Sequence, residues 1–320
     1  MKLITTYIHE RLQALYPPEE IRFFVRLILS AVCGLSYNQQ ILCKDRQISE
    51  NEKKQIFDIV ERLVNMEPVQ YILGETEFYS IPLKVNPSVL IPRHETEELV
   101  DYIIRFLSTN LHELTRNPHP RFSILDIGSG SGCMAVALAK HLPFADVLGV
   151  DVSIDALHTA MENARLNNVS IRFIQADILD TEKAVALIPG SFDLIVSNPP
   201  YVLEAEKVAM SANVLNYEPH LALFVPNDNP LLFYDAIADF ALQKLTPSGM
   251  LFFEINPLCD ALIIDLLHKK GFTHTQLIRD LSGKNRIVTT ASLPLQCNNG
   301  ILPLRESKFL QRQDAVVTIK

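Results

Sequence analysis

Four consecutive residues, Asn198-Pro199-Pro200-Tyr201, combine groups that can activate a poor nitrogen nucleophile. The lone pair of a planar NH₂ group is delocalised into the neighbouring π system. A site that accepts both N–H hydrogens and holds the group flat turns that lone pair toward an electrophile. Asn198 Oδ1 and the Pro199 carbonyl supply two acceptors. The Tyr201 ring can stack on the planar face. Two prolines in a row stop a β-ladder and remove two N–H donors, so the carbonyls beside them stay free. Fixing the nitrogen in line with a sulfonium methyl, about 3 Å away, is positioning catalysis and needs neither a metal nor a covalent enzyme intermediate.

The electrophile needs its own holder, and Asp126-Ile-Gly-Ser-Gly-Ser-Gly132 offers one. Gly128, Gly130 and Gly132 follow an apolar run and open a helical pattern. Glycines there let a ligand approach the backbone at the carboxyl end of a strand. The spacing is G-x-G-x-G, not the dinucleotide G-x-G-x-x-G. Asp151 ends the next strand, where a carboxylate can accept both hydrogens of a ribose diol, whether of NAD or of S-adenosylmethionine. The alternative is a helix N-cap, and the ribose role is preferred. Asp177 ends a third strand, within reach of an adenine amino group or of solvent. A hydride-transfer enzyme has no use for the Asn-Pro-Pro-Tyr tetrapeptide, so the pairing favours a methyl donor.

These residues need a scaffold that brings strand ends together. From residue 121 onward strand and helix patterns alternate. Strands are expected at 121–127, 145–151, 171–176, 192–196 and 250–255, and helices at 132–142, 155–166, 231–245 and 258–269. A hairpin at 275–280 and 286–290 follows. Such alternation builds parallel βαβ units. Continuous apolar runs such as FDLIV and MLFFEI suit strands covered on both faces. The fold class is α/β, a Rossmann-like, mostly parallel sheet with an antiparallel terminal strand. Residues 1–70 repeat apolar positions at helical spacing (Ile4, Ile8, Leu12, Leu15; Ile21, Phe24, Val25, Ile28; Ile56, Ile59, Val60, Leu63). Pro17-Pro18 starts one helix, and Ser49 with Glu52 forms a capping-box pattern. Residues 76–91 alternate around Pro82 and Pro87 and read as a hairpin or extended connector.

The chain of 320 residues carries a formal net charge of −8, and the acidic excess is larger after residue 90 than before it. It has no global attraction for nucleic acid or anionic membranes. Five scattered cysteines, with no CxxC pair, argue against a disulfide framework or zinc ribbon and suit a reducing compartment. Every long apolar window contains charges, and no signal or transit peptide is apparent, so a cytoplasmic protein is expected. His94 and His220 read as solvated or structural, Cys133 as a small core residue. Glu254 reads as either a supporting group or a solvent-facing strand end, and Glu218-Pro219 as part of the acceptor cleft or a plain turn.

Six segments together resemble the HemK/PrmC family of class I S-adenosylmethionine-dependent methyltransferases: Pro68–Gly74 with Glu77-Phe78, Pro82–Glu97, Asp126–Gly132, Asn198–Tyr201, Tyr217–Leu223 and Gly283–Val288. The resemblance spans about residues 5–290. It departs at His94-Glu95, where the family usually has Pro-Asp, and at Ile178, where the family is often aromatic. It implies methylation of the side-chain amide nitrogen of the glutamine in the GGQ motif of peptide chain release factors, with S-adenosyl-L-homocysteine as product. It implies that Asp126, Gly128, Ser129, Gly130, Ser131 and Gly132 line the methionine part of the donor. Asp151 would hold the ribose, and Asp177 with Ile178 would flank the adenine. Asn198, Pro199, Pro200 and Tyr201 would bind the acceptor amide, with Asn198 also meeting the donor. The organisation expected is a helical substrate-recognition domain at 1–75, a connector at 76–92, the methyltransferase domain at 93–291 and a tail at 292–320. Two alternatives use the same chemistry: a glutamine methyltransferase acting on a ribosomal protein, and an N6-adenine methyltransferase acting on a flipped base of DNA or RNA.

Overall fold

The computed structural model describes residues 1–43, 45–114 and 122–291. The expected tail at 292–320, Cys297 and the start of the first expected strand at Arg121 lie outside them. The described residues form two compact units.

The first holds five helices, α1 (Lys2–Leu12), α2 (Pro18–Cys33), α3 (Tyr37–Leu42), α4 (Glu50–Val64) and α5 (Val69–Leu73), together with Ala212–Tyr217. The helical periodicity becomes a core of Ile4, Ile8, Leu12, Ile21, Phe24, Ile28, Ile56, Val60 and Leu63, with Val25 and Ile59 half-buried against it, while Leu15 is exposed. Pro18 sits in the first turn of α2, where its missing N–H costs nothing. Ser49 and Glu52 form a reciprocal capping box at α4, and Ser36 with Gln39 repeats it at α3. The Tyr16 hydroxyl donates to the Leu63 carbonyl at 2.8 Å, and that of Tyr217 to the Asn65 carbonyl at 2.7 Å.

The second unit opens with a hairpin, β1 (Glu75–Phe78) and β2 (Ile81–Lys84). It starts one residue before the expected connector. Tyr79 and Ser80 make its turn with φ of +47° and +61°, a two-residue turn whose left-handed sense matches strand twist. Then comes α6 (His94–Leu114), a helix the sequence reading left without an element. Its apolar stripe of Leu99, Val100, Ile103 and Leu107 is fully buried. The remaining elements alternate: β3 (Phe122–Ile127), α7 (Cys133–His141), β4 (Ala145–Asp151), α8 (Ile154–Leu166), β5 (Arg172–Gln175), α9 (Thr181–Leu187), β6 (Phe192–Ser197), β7 (Val202–Leu203), α10 (Ala212–Tyr217), β8 (Phe224–Val225), α11 (Leu232–Lys244), β9 (Leu245–Glu254), α12 (Asp260–Lys269), β10 (Gln276–Arg279) and β11 (Asn285–Ala291). Of these, α10 belongs to the first unit.

Seven strands form the main sheet in the order β10-β11-β9-β6-β3-β4-β5. The pairs among β5, β4, β3, β6 and β9 are parallel, and β11 is antiparallel to both neighbours. The reversed strand is last in the described chain but second from the sheet edge. Alternate residues serve opposite faces: Leu194, Val196, Met250 and Phe252 join a core on one side, Ile195, Leu251 and Phe253 on the other. Both faces being covered is why these strands read as unbroken apolar runs. The hairpin docks on α8 through the fully buried Asn163. This side chain accepts the Lys84 amide at 2.6 Å and donates to the Lys84 carbonyl at 2.9 Å.

Candidate active site

Strand order places the two motifs. The chain runs β3, β4, β5 in one direction across the sheet, then returns to put β6 on the other side of β3. Ligands bind at such a switch point, outside the carboxyl ends of the strands. Asp126 pairs in register with Val196, and Ile127 with Ser197. The Ser197 hydroxyl ties the two strand ends together by donating to the Ile127 carbonyl at 2.7 Å. The glycine loop and the Asn-Pro-Pro-Tyr segment therefore leave the sheet side by side.

The loop is fixed by its own backbone. The Gly128 and Ser129 amides donate to the Val150 carbonyl at 2.8 and 3.0 Å, and Gly132 donates to Ser129 at 2.7 Å. Gly128, Gly130 and Gly132 all have φ between +54° and +75°. A methyl on Gly132 would meet Ala160 Cβ at 2.9 Å, so this glycine packs the loop against α8. Methyls on Gly128 or Gly130 would meet nothing within 4 Å. Those two line open space, as a cradle requires. The Ser131 carbonyl accepts from Asn163 at 2.9 Å.

Asp126 is completely buried, and neither carboxylate oxygen has a hydrogen-bond partner among the described residues. An unpaired buried carboxylate costs several kcal/mol. Burial pushes its pKa to about 7, although the nearby Ser129 hydroxyl and Ala135 amide, beyond good hydrogen-bond geometry, pull it back. A group of this kind fits a cationic ligand that supplies the missing partner.

Asp151 closes β4 and faces the same loop. Its Oδ2 accepts the Gly130 amide at 2.8 Å and its Oδ1 the Ser153 amide at 2.9 Å. Ser153, not Asp151, caps α8, accepting the Ala156 amide at 3.2 Å. Asp177 is exposed after β5, its Oδ1 accepting the Leu179 amide at 2.9 Å. Ile178 is buried in the core with Ala176 and Ala184. The residues singled out in the sequence thus spread along one sheet edge, across the ends of β6, β3, β4 and β5.

At the end of β6, Pro199 is buried, and Asn198, Pro200 and Tyr201 are half-buried. Asn198 Nδ2 donates to Thr96 Oγ1 at 3.0 Å. Thr96 donates to Glu254 Oε2 at 2.7 Å, and the Tyr201 hydroxyl donates to Glu254 Oε1 at 3.1 Å. Glu254, at the end of β9, is only 1% exposed, which excludes the solvent-facing reading. Burial raises its pKa, while Thr96, Arg286 and Tyr201 pull it back. Burial and the Glu254 charge push the Tyr201 phenol far up, so it stays a neutral donor. The Asn198 amide nitrogen is committed to Thr96, and its carbonyl end remains as the acceptor. Thr96 lies in the Pro82–Glu97 segment that carries the family resemblance, but sequence reasoning gave it no role. The available signal was the helical spacing that follows it in α6.

Glu218 supports the same segment. Its Oε1 pairs with Arg93 at 2.5 Å and its Oε2 accepts the Ile91 amide at 3.2 Å. The Arg93 region is thereby bound to the chain that follows α10, leading into α6 and Thr96. His94 is exposed and pairs with Glu97 at 3.3 Å, outside this network.

Comparison with known proteins shows the family. The family described as "PrmC N-terminal domain" matches residues 5–74, and the "Methyltransferase small domain" matches residues 97–218. A release factor glutamine methyltransferase of Flavobacterium psychrophilum is 42% identical over 288 residues, covering 90% of this chain and 98% of its own. The chain belongs to the release factor glutamine methyltransferase family. A second relative with that description, from Bacteroides thetaiotaomicron, is 40% identical over 289 residues, covering 90% of this chain and 99% of its own. Among solved structures, the catalytic domain of hMettl16 in complex with the MAT2A 3′UTR hairpin 6 is similar at a TM-score of 0.50 and 14% identity. It covers 78% of this chain and 87% of that one, a likeness of fold. As a member of this family the chain is a methyltransferase. Among the described residues no helix is long and apolar enough to cross a membrane, and no cluster of side chains is suited to a metal ion.

Proposed function

We propose that this chain transfers a methyl group from S-adenosyl-L-methionine to the side-chain amide nitrogen of the glutamine in the GGQ motif of peptide chain release factors. The observation that carries the reading is the Asn198 amide, whose nitrogen is held by Thr96 so that its carbonyl can receive an acceptor N–H. It stands beside a glycine loop with an unpaired buried carboxylate. When bound, S-adenosylmethionine supplies a sulfonium methyl and leaves as S-adenosylhomocysteine.

Asp126 would pair with the donor's ammonium group. Gly128 to Gly132 would line its methionine part, Asp151 would hold its ribose, and Asp177 and Ile178 would border its adenine. Asn198 Oδ1 and the Pro199 carbonyl would accept the two amide N–H bonds, while Pro200 shapes the turn and Tyr201 covers the planar face. Held in this way, the nitrogen would present its lone pair to the donor's methyl, and the amide proton displaced by the new bond would pass to solvent. Orientation and desolvation would provide the acceleration. The net charge of −8 supports a protein acceptor over a polyphosphate.

The test is methyl transfer from tritiated S-adenosylmethionine to a purified release factor, with peptide mass spectrometry. The reading expects one methyl on the GGQ glutamine and none when that residue is replaced by alanine. Label on a ribosomal protein or on RNA, with the release factor unlabelled, would overturn it.

A further inference from the structure

We propose that Thr96 and Glu254 are positioning residues that decide which end of the Asn198 carboxamide faces the acceptor. The inference rests on the reading that Asn198 receives the glutamine amide. A carboxamide has two ends of nearly the same shape, one an acceptor and one a donor. Only the acceptor end can take an N–H from another amide, so an asparagine free to flip spends part of its time useless. The geometry removes that freedom. Thr96 has a single hydroxyl hydrogen, and it goes to Glu254 Oε2 at 2.7 Å. An ionised carboxylate only accepts, so the hydroxyl must donate to it. Thr96 Oγ1 then has only lone pairs to offer Asn198, at 3.0 Å, and only Nδ2 can satisfy them.

The other carboxylate oxygen is engaged as well, by the Tyr201 hydroxyl at 3.1 Å. One carboxylate thus sets the polarity of the asparagine and anchors the ring two residues after Pro199. Thr96 is 3% exposed and Glu254 1% exposed, so water cannot take over either role. The three elements involved are the first turn of α6, the end of β9 and the segment after β6.

The test compares Thr96→Val, which keeps the shape without the hydroxyl, with Thr96→Ser, which keeps the hydroxyl. Thr96→Val is expected to lower kcat by about tenfold or more, while donor affinity stays within about threefold of the parent, the pattern of a misplaced acceptor. Thr96→Ser restores kcat to within about threefold, and adding Glu254→Gln to Thr96→Val costs no more than the worse single change, because both act along one chain of bonds. A nitrogen NMR spectrum of the free protein provides a readout without acceptor. The Asn198 side-chain NH₂ pair shifts in Thr96→Val and recovers in Thr96→Ser. Parental kcat in a folded Thr96→Val, no shift of that pair, or a serine variant as impaired as the valine would overturn the proposal. Should Thr96→Val not fold, Glu254→Gln alone decides, because parental kcat and an unmoved NH₂ pair would overturn it too. If the parent protein itself leaves the release factor glutamine unmethylated, the functional reading fails, and the NMR result still decides the orientation.

Discussion

Asp151 Oδ2 accepts the Gly130 amide at 2.8 Å, so the carboxylate at the end of β4 shapes the loop that follows β3. Removing it leaves two backbone amides, those of Gly130 and Ser153, without their charged partner. Asp151→Ala is therefore expected to weaken donor binding by about 10- to 100-fold, the value of one or two charge-assisted hydrogen bonds. Isothermal titration with S-adenosylmethionine checks it, and an unchanged Kd would refute the role.

With Asp126 proposed as the partner of the donor's ammonium, donor binding is expected to depend on pH. Its folded pKa of about 7 lies above the ordinary 3.8 because burial disfavours the charge. A carboxyl raised in this way holds its proton more tightly when folded. Its penalty is absent below about pH 4, grows as pH rises to about 7, and is complete above that. Asp126→Asn should raise the thermal midpoint of the donor-free protein at about pH 8 and lose that advantage at low pH. The ammonium of the donor needs the ionised form, so affinity of the parent protein should rise with pH up to about 7, and Asp126→Asn should flatten the dependence.

Two glycines of one loop should fail in different ways. Gly132→Ala combines a φ of +75° with a 2.9 Å approach to Ala160 Cβ. It should cost roughly 2–3 kcal/mol of stability, measurable by denaturant unfolding. Gly130→Ala meets no atom within 4 Å. Its stability cost should be about 1 kcal/mol, and its main effect should be on donor affinity, because the methyl enters the cradle.

Asn198→Ala removes the acceptor but leaves the glycine loop intact. Methyl transfer should fall by about 100- to 1000-fold, with donor Kd within about threefold. Steady-state kinetics with titration of the donor separates the two. Turnover near that of the parent would remove Asn198 from the mechanism.

Much of this was readable from the chain. The strand Ala145–Asp151 has the bounds its sequence suggested, because an unbroken apolar run between turn signals has few other homes. The capping box at Ser49 is local chemistry and was legible as such. Less visible was α6, whose apolar stripe begins right after an extended proline-containing connector. Least visible was the set of contacts around Asn198: Thr96 lies 102 residues from it and 158 from Glu254. Nothing in a linear pattern records such a meeting. It exists only once β9 lies beside β6 in the sheet.

The reversal of β11 has one last consequence. Every other strand near the switch point stops there, and their ends deliver Asp126, Asp151 and Glu254. β11 begins there instead, with Ile287 opposite Glu254, and it brings Arg286 to the rim. Arg286 lies 11% exposed, pairs with Asp280 at 3.2 Å, and pulls electrostatically on Glu254. Run the other way, that strand would arrive carrying its far end, and the buried Glu254 would lose the guanidinium that offsets the penalty of its burial.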